Sequence, residues 1–183
     1  KTGVTKLSNI RSEIAGLGNI SKYCKSDSIV DDTGSAFCTF EQKSFRRHEN
    51  GEPIYPLDFE DYNFRASVNV EKKFHQGANI IRSIIDKWAD SKKTFRLINR
   101  TSLVHDKYPV KVDISIVRSS RKEGRNMIPE FRFTNSGVVD STQSYEIEIE
   151  VDNEKVGPGT DYDDVRKVAS VMRKVIKLVM SGL

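Results

Sequence analysis

Tyr145-Glu146-Ile147-Glu148-Ile149-Glu150-Val151 places a carboxylate at every second position of one short run. Successive strand side chains point to opposite faces, so this alternation predicts a β-strand with Glu146, Glu148 and Glu150 on one face. Ile147, Ile149 and Val151 take the other face. Three carboxylates side by side repel one another unless a cation or basic side chains neutralise them. On its own the pattern fits a solvated outer face, so the neighbouring strands decide its meaning.

Those neighbours carry the opposite charge. Thr94–Val104 alternates as a strand with Arg96, Ile98, Arg100 and Ser102 on one side. After a Tyr108-Pro109 turn, Val110–Arg118 repeats the pattern with Lys111, Asp113 and Ser115. Tyr62–Glu71 is expected as a further strand, presenting Arg65, Ser67, Asn69 and Glu71 together. Short strands are expected at Ala36–Phe40, Lys43–Arg47 and Glu130–Thr134. Helices are expected near Leu7–Leu17, from about Gln76 to Ala89, and after Thr160, whose spacing to Asp163 suggests an N-cap. The last helix carries Val165, Val168, Ala169, Met172, Val175, Ile176 and Val179 on an amphipathic period. Ser119–Asn126 and Asn135–Gln143 read as loops. The fold class is therefore α+β, mostly antiparallel strand with supporting helices.

The 183 residues are expected to form one domain. Hydrophobic residues make up 37% and charged residues 31%. No apolar run nears the roughly 20 residues of a membrane span, so no membrane association is expected. Lys1 stands where a start methionine would, and the chain is read as a piece of a longer polypeptide. Cys24 and Cys38 have no metal-ligand spacing, which argues against zinc and suits a reducing compartment. His48, His75 and His105 are scattered, with no nucleophile–base pairing. A net charge of +4 is a mild pointer to a polyanionic partner. Curling the charged strands into a barrel would gather carboxylates for a divalent cation and Arg/Lys groups for phosphate oxygens.

Phe64-Arg65-Ala66-Ser67-Val68, Phe95–Ser102, Val112–Arg118 and Tyr145–Val151, in that order and followed by an amphipathic helix, resemble the triphosphate tunnel family. The likeness is closest to the RNA 5′-triphosphatase domain of mRNA capping enzymes from large cytoplasmic DNA viruses. It covers about Tyr62 to Leu183. It implies an antiparallel eight-stranded β tunnel spanning residues 1–183, and a hydrolase removing the γ-phosphate of triphosphate-ended RNA during cap formation. It further implies Mg²⁺ or Mn²⁺ held by Glu146, Glu148 and Glu150, with Arg96, Arg100 and Asp113 completing the catalytic set. Arg65, Ser67, Arg96, Arg100, Lys111, Ser115 and Arg118 would contact substrate. The partners implied are triphosphate RNA, NTP, and guanylyltransferase and methyltransferase domains in the same polypeptide or complex. The location implied is cytoplasmic, in a viral factory or virion.

Two departures accompany the resemblance. The family's first strand carries another Glu-x-Glu pair, and only Asp58-Phe59-Glu60 has comparable spacing here. Ile98 stands where relatives place a lysine. Three other readings remain: a tunnel phosphohydrolase acting on free NTP or polyphosphate, a non-catalytic tunnel-like binding or scaffold domain, and a generic basic β-domain binding RNA through its surface. Against the last, the basic residues are interleaved with carboxylates and no aromatic stacking platform is present.

Overall fold

A computed structural model describes residues 9–182. The chain divides into two compact units: described residues up to Lys93 together with Glu130–Asn135, and Thr94–Pro129 with the described residues from Ser136. The architecture is mixed α+β, and every strand ladder is antiparallel. Among the described residues the strands form two three-stranded and two two-stranded sheets, with no closed barrel. No helix among them is long and apolar enough to cross a membrane.

The first unit begins with β1 (Ile10–Glu13), α1 (Leu17–Ser26) and β2 (Thr39–Phe45). It continues with β3 (Leu57–Phe59), β4 (Phe64–Ala66), β5 (Asn69–Phe74) and α2 (Asn79–Asp86). Its main sheet runs β1-β2-β5, while β3 and β4 form a separate hairpin. The buried side chains Tyr23, Ile29, Phe40 and Ile81 make its core. Tyr23 stands edge-on to Trp88 and Phe133, with ring centroids 6.3 Å and 6.5 Å away. Such edge-to-face pairs add to ordinary area burial. Lys93 closes the segment after α2, donating to Trp88 O and Ser91 O at 2.6 Å each.

Several expected boundaries move, each for a local reason. The helix expected over Leu7–Leu17 is replaced by β1, because Ile10-Arg11-Ser12-Glu13 alternates and pairs with Thr39–Gln42; Leu7 and Ser8 lie outside the described residues. Gly16, at φ +85°, then turns the chain into α1, a conformation that costs glycine little. The strand expected over Tyr62–Glu71 breaks in two, since β4 pairs with β3 while β5 pairs with β2. Glu130–Thr134 forms only a bridge from Glu130 to Lys93, followed by a 3₁₀ turn at Phe133–Asn135. Both thiols are free, and burial pushes that of Cys38 up to about 11.

The second unit contains β6 (Arg96–Val104), β7 (Val110–Ser119), β8 (Lys122–Glu123), β9 (Asn126–Met127), β10 (Ser144–Val151) and α3 (Val165–Ser181). The region expected as loop over Ser119–Asn126 thus contributes a small β8–β9 hairpin. The main sheet runs β10-β7-β6, and α3 packs along β10. Asp164, not Thr160, caps α3: its side chain accepts from Arg166 N at 2.8 Å. Thr160 is engaged in the preceding turn, donating to Gly157 O and accepting from Tyr162 N.

Candidate functional site: a charged sheet face

The register of β7, the central strand, sets the site. Lys111, Asp113 and Ser115 pair with Glu150, Glu148 and Glu146 on β10. On the other side, Asp113 and Ser115 pair with Ser102 and Arg100 of β6, and Ser119 pairs with Arg96. Directly paired residues project to the same side of a sheet, so all these groups occupy one face. The two-residue periods of three strands, separated in sequence by up to 50 positions, are in phase.

On that face the charges neutralise one another directly. Arg96 Nη2 lies 2.7 Å from both carboxylate oxygens of Glu146. Arg100 is the hub: Nη2 donates to Glu148 at 2.9 Å, Nη1 to Asp113 Oδ2 at 3.2 Å, and Nε to Ser115 Oγ at 3.1 Å. Lys111 Nζ bridges Asp113 Oδ2 at 3.1 Å and Glu150 at 3.2 Å. Four carboxylates meet three cations, so the cluster carries a net charge of −1.

Depth differs sharply within the cluster. Asp113 is 0% exposed and Ser115 1%, whereas the surrounding glutamates, arginines and Lys111 are about one-third or more open to solvent. Burial would raise the Asp113 pKa, but Ser102, Lys111 and Arg100 outweigh it and hold the carboxyl below its usual range. The same pairing holds Lys111 above its usual value despite its own partial burial. Asp113 Oδ2 receives both cations, while Oδ1 is buried and no well-formed hydrogen bond reaches it among the described residues. An unsatisfied buried acceptor costs free energy unless a ligand or solvent meets it. Strand alternation alone reveals neither this depth nor the orphaned oxygen.

The remaining candidates lie elsewhere. Arg118 faces the opposite side of the sheet, opposite Leu97, and its guanidinium donates to Val139 O. Arg65 belongs to the first unit, where it forms a two-pronged pair with Asp58; Ser67 follows β4 and accepts from Asn69 Nδ2 at 2.9 Å. The Asp58-Phe59-Glu60 motif is thus partly committed to that pair. Ile98, between the two arginines of β6, is the register partner of the fully buried Val117.

As donors, the three glutamates offer the hard carboxylate oxygens that Mg²⁺ and Mn²⁺ take, and Asp113 Oδ1 adds an unmet acceptor. As arranged, each glutamate is turned to a base, and among the described residues no group of three or more His, Cys, Asp or Glu converges on a point. The donor chemistry fits such a cation once the basic groups turn to another anion. Comparisons with family models, with curated proteins and with solved structures gave no match.

Proposed function

We propose that this chain is a metal-dependent polynucleotide 5′-triphosphatase, removing the γ-phosphate of triphosphate-ended RNA ahead of cap formation. The observation that carries the reading is the single sheet face holding Glu146, Glu148, Glu150 and Asp113 among Arg96, Arg100 and Lys111. In this reading β6, β7 and β10 form part of the wall of an eight-stranded tunnel, and the enzyme works in the cytoplasm beside guanylyltransferase and methyltransferase domains.

Arg96, Arg100 and Lys111 bind phosphate oxygens, and the guanidinium forks meet charge that develops on the equatorial and bridging positions. Asp113 is a positioning residue: its buried Oδ2 fixes Arg100 and Lys111 at once. Glu146, Glu148 and Glu150 would hold Mg²⁺ or Mn²⁺, which when bound supplies neutralisation of the terminal phosphate's charge. A glutamate left free of that role orients the water for in-line attack. Arg118, on the reverse side of the sheet, takes no part in this mechanism.

The test is phosphate release from triphosphate-ended RNA by the Glu148→Ala variant. Removing a preorganised electrostatic group costs about 2–4 kcal/mol of transition-state stabilisation, roughly a 30- to 1,000-fold loss of rate. Unchanged turnover in a folded variant refutes the assignment. A preference for tripolyphosphate or free NTP over RNA would redirect the substrate class. A non-catalytic binding module is the second reading, favoured by the base already seated on each glutamate. Absence of Mn²⁺ binding in the presence of tripolyphosphate would support it.

A further inference from the structure

The last helix carries five cations and no carboxylate in seventeen residues. At 100° per residue, Arg166, Lys167, Arg173, Lys174 and Lys177 fall within an arc of about 120°. All five are exposed, and only Lys167 has an acidic partner among the described residues, Asp163 at 2.8 Å. The opposite arc, with Val168, Met172, Val175, Ile176 and Val179, is half-buried in the second unit, where α3 runs along β10. Arg166, Arg173 and Lys177 follow one line, seven and four residues apart, so their charges are spaced by about 10 Å and 6 Å along the axis.

We propose that this cationic face of α3 is a docking surface for the phosphate backbone of single-stranded RNA. Like charges gathered on one side of a helix, four of the five without an acidic partner among the described residues, repel one another, and a polyanion relieves that repulsion while releasing its counterions. An RNA strand is favoured over an anionic membrane because the apolar stripe is half-covered by the second unit, and the apolar residues left open on α3, Val165 and Leu178, stand at its two ends and form no continuous apolar face for lipid chains. The choice of RNA as the polyanion rests on the triphosphatase reading. The surface itself would hold the body of the strand, away from the reacting end.

The experiment is equilibrium binding of a fluorescent oligouridylate with a 5′-hydroxyl end, which has no triphosphate for the sheet face to recognise. Binding is followed over a salt series. Replacing Arg166, Arg173 and Lys177 together by Glu should weaken binding at least tenfold, and replacement by Gln should flatten the salt slope by about 2. Helical circular dichroism checks that α3 persists, and the Gln variant serves if the Glu variant does not fold. The control is Lys72→Glu with Lys73→Glu on β5, which should alter binding much less. Equal loss in the control, unchanged binding in the α3 variants, or binding only to phosphatidylserine vesicles overturns the proposal. Phosphate release from triphosphate-ended RNA separates the two readings. Its absence from the wild type would sink the triphosphatase while leaving an α3-dependent RNA affinity intact; its retention in α3 variants that bind RNA normally would sink only the docking surface.

Discussion

The two units are stabilised by different chemistry. Among the described residues, the buried apolar side chains concentrate in the first unit, in Tyr23, Ile29, Ala36, Cys38, Phe40 and Ile81. The second has Pro109, Val110, Val117 and Val138, and it holds the buried polar residues Asp113, Ser115, Ser120 and Ser136. Its sheet is also inverted relative to ordinary expectation. The charged face contains the most buried positions, while Ile114, Ile116 and Ile147 on the apolar face stay 37–44% exposed. An antiparallel sheet with one wet side normally buries its apolar side. A unit that places ion pairs at its deepest positions gives up hydrophobic stabilisation in exchange for a preorganised charged surface.

The largest expected effect lies in the apolar unit. Phe40→Ala should cost about 3–5 kcal/mol there, read as lost amide protection in β2 and β5. The Cys38 thiol, kept protonated by burial, should then label much faster with an alkylating reagent. In contrast, Ser115→Ala on the polar face should cost only about 1 kcal/mol. Equal costs for the two changes would break the comparison.

A second test asks whether the charged cluster stabilises or merely specifies. Arg100→Met with Lys111→Met leaves Asp113 buried without a cation and should cost about 3–5 kcal/mol in denaturant unfolding. Adding Asp113→Val to that pair should recover much of the loss, because an apolar replacement no longer strands a charge. Failure to recover would mean that the cluster contributes net stability of its own.

Acid gives a third, smaller signal. The Asp113 pKa is depressed in the folded chain, so its contribution is present above the ordinary carboxylate value of about 4 and fades as pH falls through the lower folded value. Unfolding followed downward from about pH 5 should therefore show an acid-side loss that Asp113→Asn lacks. Parallel curves would remove Asp113 from the account. The smallest change is at the cap of α3: Asp164→Ala should destabilise the helix by about 1 kcal/mol, measured by amide exchange in its first turn.

The strand alternation of Arg96–Val104, Val110–Ser119 and Ser144–Val151 was legible because period two is a local property, written residue by residue. The same holds for α3, whose apolar spacing spans more than four turns. Where a segment is short, local pattern does not choose the partner: Ile10–Glu13 became strand through pairing with β2, and Tyr62–Glu71 broke because two strands claimed its halves. The sequence by itself determined which charged residues share a face within each strand. Tertiary structure alone decided that three such faces come into phase, that Arg100 joins Ser115, Asp113 and Glu148, and that Asp113 lies deepest. The physical reason is that register and depth are set by long-range strand pairing and by the side chains that cover each position, and neither is encoded in a window of neighbouring residues.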